Sequence, residues 1–230
     1  MVLNSIETVL LPIGDNTMTK IWIADIQALG LPLDELLQAL PPEDREKALR
    51  YRRTEDQLRC VAGRTMIRAL AAEAGMPKAQ LVFSAYGKPA FAGGKPQFNL
   101  SHSGNWVALA AGDAPLGIDV EKRETFDWES VSCFFTERER ESIRADREPL
   151  RRFYRLWTMK EAFAKEEGRG LSLFEEETIE MDFAQGKIAY QGKLLFLQTW
   201  ETPEYTLSFC GEEAARAPHR IIAEEWPALG

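Results

Sequence analysis

The sequence predicts an α+β protein of two similar subdomains in a pseudo-twofold relation, with antiparallel strands packed against helices and an active-site cleft between the halves. Three observations carry this expectation. Each half of the 230 residues reads as a helical region flanked by strand-like runs. The strongest break, Gly112-Asp113-Ala114-Pro115, falls near the middle and divides the chain into 1–112 and 113–230. The last third, after a long helical stretch, breaks into short apolar runs separated by turn residues, the pattern of a strand meander.

In order, Lys20–Ile26 reads as a strand. Pro41-Pro42 opens a charged helix, and Thr54 with Gln57 predicts a capping box for a second helix that stops at Gly75. Leu81–Phe83, Ala90–Phe91 and Trp106–Ala111 read as strands, with a turn at Tyr86-Gly87-Lys88-Pro89. Past the break, Leu116–Glu121 is a strand, Thr136 with Glu139 caps a helix, and Pro149 begins a longer one reaching about Glu167. Ile179–Phe183, Lys187–Tyr190, Leu194–Trp200 and Tyr205–Cys210 complete the meander.

Composition narrows the function. Hydrophobic residues are 45% and charged residues 28%, ordinary for a globular chain with a continuous core. No apolar run reaches the ~20 residues a membrane helix requires, so no membrane association is expected. Met1 to Asn16 lacks a basic segment and a small-residue cleavage site, so a cytoplasmic protein is expected. Cys60, Cys133 and Cys210 are odd in number and far apart, which argues against a disulfide framework or a CxxC zinc site. The net charge of −8 argues against nucleic acid as partner. Basic residues nevertheless cluster between Arg45 and Arg68, which suits a small polyanion, although charge counts alone favour two solvated helix faces.

Three segments carry chemistry. Phe98-Asn99-Leu100-Ser101-His102-Ser103-Gly104-Asn105-Trp106 reads as a polar loop between strands, able to hold phosphate oxygens or simply to form a hairpin turn. In Gly117-Ile118-Asp119-Val120-Glu121 a strand would project Asp119 and Glu121 to one face, as a hard-cation site or as two solvated acids. In Trp157-Thr158-Met159-Lys160-Glu161-Ala162-Phe163-Ala164-Lys165, helical spacing stacks Trp157, Glu161 and Lys165, with Lys160 beside them. A phosphate-and-metal site fits that helix face, and so does a surface ion pair.

Together the segments resemble the surfactin-type branch of the 4′-phosphopantetheinyl transferases. The markers are the Ser-His-Ser-Gly run, the Gly-Ile-Asp-Val-Glu strand, and Trp-x-x-Lys-Glu-Ala followed by Lys-x-x-Gly-x-Gly-Leu-Ser. Tyr86-Gly87-Lys88-Pro89 and Pro42-Glu43-Asp44-Arg45-Glu46-Lys47 match as well, and the likeness runs from about Ile21 to Phe209.

The resemblance implies transfer of the phosphopantetheine arm of coenzyme A to a serine of an acidic apo carrier protein. It implies Mg²⁺ on Asp119, Glu121 and Glu161, with Lys165 and Lys160 holding phosphate oxygens. Ser101 and His102 would lie against phosphates, Arg59 and Lys47 would face the 3′-phosphate, and Lys88 and Pro89 would border the adenine. Glu161 is the first candidate for the base, with a metal-bound water as the alternative. Members commonly carry lysine where Asp44 stands, so Arg45 or Arg64 is expected to compensate. The nucleotide would rest on 1–112, and the metal, pyrophosphate and carrier on 113–230. Phe126, Trp128, Val131, Phe134 and Phe135 read equally as a carrier-docking surface and as core. Paired halves imply a monomer. A metal-dependent phosphohydrolase and a non-catalytic binding module are the rival readings.

Overall fold

The computed structural model describes residues 19–28, 30, 32–181 and 186–221. Strand β1 (Lys20–Asp25) is followed by helices α1 (Leu33–Ala39), α2 (Pro42–Leu49) and α3 (Thr54–Glu73). Hairpin strands β2 (Leu81–Phe83) and β3 (Pro89–Phe91) then lead to β4 (Gln97–Ser103) and β5 (Trp106–Gly112). The second half holds β6 (Leu116–Lys122), a 3-10 segment (Trp128–Phe134), and helices α4 (Glu137–Ala145), α5 (Pro149–Glu167) and α6 (Ser172–Glu176). Strands β7 (Lys187–Tyr190), β8 (Lys193–Glu201), β9 (Tyr205–Gly211) and β10 (His219–Ile221) close it.

The fold is α+β. One four-stranded sheet runs β10-β1-β5-β4 and another β6-β9-β8-β7. Every pairing inside them is antiparallel except that of β10, which lies parallel to β1. Strand periodicity assigns the faces. Trp22, Ala24, Val107, Leu109 and Ala111 pack on Ala62, Met66, Ile67 and Leu70 of α3. The intervening residues Ile21, Ile23, Trp106, Ala108 and Ala110 pack on Leu116, Ile118, Val120, Leu207 and Phe209 of the second sheet. That sheet turns Leu195, Leu197 and Cys210 to Phe153, Leu156, Met159 and Phe163 of α5. Each half thus sets one long helix on a sheet, and the two sheets share a core.

Gly117 decides how closely α5 approaches. A Cβ there would lie 1.9 Å from the Ala162 carbonyl oxygen and 2.5 Å from the Glu166 amide nitrogen. Only a glycine lets the helix backbone seat on β6. The helix starts with Pro149 in its first turn and ends at Gly168 in the left-handed region, φ 75°.

Several local expectations change. Helix α4 has the full capping box, with Thr136 and Glu139 each bonded to the other's backbone. Helix α3 does not: its N-cap is Arg53, without a side-chain cap, and Gln57 Nε2 donates to the Tyr51 carbonyl instead. The polar run from Phe98 is a strand through Ser103, not a loop, and turns only at Gly104-Asn105. Ile179, Glu180 and Met181 are irregular rather than a strand, and Asp182 and Phe183 lie outside the described residues. Helix α1 and strand β10 are too short to show a period in the sequence. No helix among the described residues is long and apolar enough to cross a membrane.

Candidate active site

Seating α5 on Gly117 brings two chemistry-bearing segments together. Asp119 and Glu121 follow at two-residue steps on β6, and Glu161 and Lys165 follow at one helical turn on α5. The Lys165 ammonium donates to Asp119 Oδ1 at 2.6 Å and to Ser101 Oγ at 3.0 Å. Ser101 donates to the same Asp119 oxygen at 2.8 Å, and Ser103 donates to Glu121 Oε2 at 2.5 Å. The Trp157 indole also hydrogen-bonds Glu121. Trp157 lies on the helix face that the sequence assigns to Glu161 and Lys165, whereas Ser103 did not stand out as a site residue in the sequence. The signal for Ser103 was the alternation Asn99, Ser101, Ser103 beside Gly117, Asp119, Glu121.

The electrostatics follow from crowding acids in a half-buried space. Burial, then the Asp119 charge, pushes the Glu121 carboxyl up to about 7, against the hydrogen bonds from Ser103 and Trp157. Burial raises Glu161 to about 7 as well, with Asp119 and Glu121 adding to it and Lys165 opposing. Burial would lower the Lys165 pKa, but the charges of Asp119 and Glu161 outweigh it and hold the ammonium protonated. Two carboxyls near neutrality beside a fixed cation form a site able to take up or release a proton near pH 7.

The donor set suits a hard divalent cation. All three acids offer oxygen, and Asp119 Oδ2 is buried with no hydrogen-bond partner, an acceptor with unused capacity. The oxygens are not gathered at one point: among the described residues no group of three or more His, Cys, Asp and Glu side chains is placed to hold a metal ion.

The remaining candidates fall in three places. Lys47 and Arg64 line a cavity of about 820 Å³ with Arg50, Arg68, Lys78 and Phe83. There the Lys47 ammonium lies 5.1 Å from the Phe83 ring centre. Asp44, where an acid was expected to weaken an anion site, pairs with Arg64 at 3.4 Å and Arg68 at 2.7 Å. Arg45 is tied to the carbonyls of Leu37, Gln38 and Leu40, so of the two expected compensators only Arg64 faces the cavity.

Arg59 pairs with Asp56 and donates to the Gly104 carbonyl at 2.6 Å. His102 is exposed on β4, and the protein around its ring, then Arg59 and Lys165, lower its pKa. Pro89 begins β3, and Lys88 reaches across the molecule to the carbonyls of Leu116 at 2.9 Å and Lys165 at 2.5 Å. Lys160 is not brought to the site. Its side chain is 1% exposed, and its ammonium is paired with Glu139 at 3.0 Å, bonded to the Ile179 carbonyl and set 4.3 Å from the Phe174 ring centre. One residue along a helix turns a side chain by about 100°, which separates it from Glu161.

Two family models match the chain. The profile of the 4′-phosphopantetheinyl transferase superfamily matches residues 115–221, and that of the 4′-phosphopantetheinyl transferase N-terminal region matches 31–114. The 4′-phosphopantetheinyl transferase ffp of Bacillus subtilis is 32% identical over 209 residues, 85% of this chain and 92% of that protein. The chain belongs to the 4′-phosphopantetheinyl transferase family.

Within this family, the transferase Sfp of Bacillus subtilis strain 168 is 38% identical over 146 residues, 61% of this chain. The match covers 65% of the length of Sfp, just under two thirds. The L-aminoadipate-semialdehyde dehydrogenase-phosphopantetheinyl transferase of Homo sapiens is 31% identical over 211 residues, 81% of this chain and 67% of that protein. The Bacillus matches are those the surfactin-type resemblance led us to expect.

Proposed function

We propose that this chain transfers the 4′-phosphopantetheine arm of coenzyme A to a serine hydroxyl of an apo carrier protein. A serine O–P bond forms, the P–O bond to the leaving group breaks, and 3′,5′-ADP departs. The observation that carries this reading is the joining of Asp119, Glu121, Glu161 and Lys165 across β6 and α5, in a chain of this family.

Each residue has a role that its surroundings permit. A free serine hydroxyl is a weak nucleophile at neutral pH, and Glu161, held near 7, accepts its proton. An ammonium has three hydrogens, and Lys165 directs two of them to Asp119 and Ser101. The third can hold a phosphoryl oxygen. Asp119, with Glu121 and Glu161, would hold Mg²⁺, which when bound offsets charge on the phosphate oxygens. The nucleotide end is assigned to 1–112, with Lys47, Arg59 and Arg64 meeting the 3′-phosphate and His102 lying against phosphates. Lys88 would contribute its stem and backbone beside Pro89, since its ammonium already meets carbonyls. The carrier is assigned to 113–230, and one chain supplies every group named, so a monomer suffices.

The test is mass spectrometry of several apo carrier domains incubated with the protein, coenzyme A and Mg²⁺. Each accepted carrier gains the phosphopantetheine mass at one serine. Release of 3′,5′-ADP with no carrier present, and no carrier modified, would overturn the transferase reading in favour of a hydrolase.

A further inference from the structure

Irregular backbone needs hydrogen-bond partners as much as strand or helix does. The chain leaving β6, residues 123–127, has no regular structure. The Arg123 amide donates to the Glu204 carbonyl at 2.8 Å, and its guanidinium meets Thr206 Oγ1 at 3.0 Å and Glu201 Oε1 at 2.6 Å. Glu124, next along, spends both backbone groups on one side chain. Its carbonyl accepts from the Tyr154 phenol at 3.0 Å, and its amide donates back to the same oxygen at 3.4 Å. Phe126 then lays its exposed ring on Phe153, with centres 5.5 Å apart and planes 19° from parallel. We infer that Tyr154 is a positioning residue for carrier docking, whose buried hydroxyl fixes the exit of β6 so that Phe126 is held ready on Phe153.

Two adjacent residues of α5 do complementary work here. Phe153 and Tyr154 are both buried in one core cluster, with ring centres 5.1 Å apart. Phe153 offers only a ring, and Phe126, Trp128 and Phe135 all pack on it. Apolar contact tolerates sliding, because its attraction has no direction. A hydroxyl that gives and receives at one residue does not, because both bonds depend on angle. The Tyr154 contact therefore sets where the chain lies, and the Phe153 stack sets how much surface it covers. Glu124 and Phe126 follow directly on the strand that carries Asp119 and Glu121. A carrier held at Phe126 delivers its serine to those carboxylates reproducibly only if the stretch between has one conformation. Ordering that stretch in advance also removes part of the entropic cost of docking.

The inference rests on the transfer reading. Tyr154→Phe keeps the ring in the core and removes only the hydroxyl, so the fold should be retained. It is compared with the unaltered protein, with Phe126→Ala and with the double variant, using a carrier domain that the unaltered protein modifies. Hydrogen exchange at the Glu124 amide should quicken in Tyr154→Phe. KM for the carrier should rise about fivefold to tenfold, with kcat and calorimetric affinity for coenzyme A each within about twofold. On the Phe126→Ala background the same change should add less than about twofold, because the hydroxyl acts through that ring. Faster exchange with an unchanged carrier KM would leave a purely structural clamp and overturn the inference. Unchanged exchange would overturn it too, as would an equal rise in KM on both backgrounds or a fall in kcat at normal KM. If the unaltered protein modifies no carrier at all, the transfer reading fails and takes the docking role with it, whereas the other adverse outcomes overturn the inference alone.

Discussion

Helix α5 carries two lysine–carboxylate pairs on different faces, and they differ in almost everything except chemistry. Lys160 with Glu139 is sealed, at 1% and 3% side-chain exposure, between the rings of Phe135 and Phe174. Lys165 with Asp119 leaves the lysine 27% exposed and adds Glu121 and Glu161 around one cation. The first pair is balanced: one cation, one anion, and a carbonyl for a further N–H. The second has more negative than positive charge, an acceptor oxygen without a partner, and an opening to solvent. A balanced, closed pair suits a scaffold. An unbalanced, open cluster suits a ligand that brings positive charge or takes a proton.

The largest effect expected from this contrast is the loss of transfer in Asp119→Ala. Removing that carboxylate takes away the Lys165 partner and a ligand for the cation together. We expect kcat to fall by about a thousandfold or more with circular dichroism unchanged. Full activity in that variant, or in excess chelator, would break the metal assignment. Lys160→Met should do the reverse, because it strands a buried Glu139 carboxylate. Stability should drop by about 3–5 kcal/mol in denaturant titration, with kcat per folded molecule close to normal. Glu139→Leu added to Lys160→Met should recover much of that loss. Should Lys160→Met instead abolish transfer at normal stability, the lysine acts at the site after all and the contrast fails.

The contrast also shows what the sequence can and cannot reveal. Asp119 with Glu121, and Trp157 with Glu161 and Lys165, were legible because strand and helix periods put each set on one face. The role of Gly117 was not: nothing in a strand motif says that a helix backbone will lie within contact distance. Lys160 misled because adjacency in sequence was taken for adjacency in space, while helical rotation points it to Glu139, a residue of α4. The Ser101 run looked like a loop because polar residues on alternate positions of an edge strand resemble turn composition. Strand β10 had no signal at all, being three residues whose pairing with β1 is set by the far end of the chain.

A smaller effect tests the aromatic segment beyond β6, where the same division recurs. Phe135 is 3% exposed and packs against Phe153 and Trp157, whereas Phe126 is 43% exposed and stacks on Phe153 with rings 5.5 Å apart. Phe135→Ala should therefore destabilise by about 3–5 kcal/mol without altering carrier use by the folded fraction. Phe126→Ala should weaken carrier use about thirtyfold, equivalent to ~2 kcal/mol, with coenzyme A affinity untouched. If a well-folded Phe126→Ala keeps normal kinetics toward the carrier, docking lies elsewhere and this residue only covers Phe153.

The smallest effect reads the open cluster through stability alone. Glu121 and Glu161 are raised from 4.5 to about 7 in the folded chain. Between those values the folded state binds more protons than the unfolded one, so stability falls as pH rises through the window. Below the unfolded value both states are protonated, and the contribution is fully present. Above about 7 both states are ionised, and it is lost. In chelator, Glu161→Gln removes one titrating group, and it should flatten the decline between pH 5 and 8 by on the order of 1 kcal/mol after solvent screening. Chemical denaturation at a series of pH values measures this. Parallel curves for Glu161→Gln and the unaltered protein would mean that Glu161 is not held near neutrality, and its assignment as the base would lose its electrostatic ground.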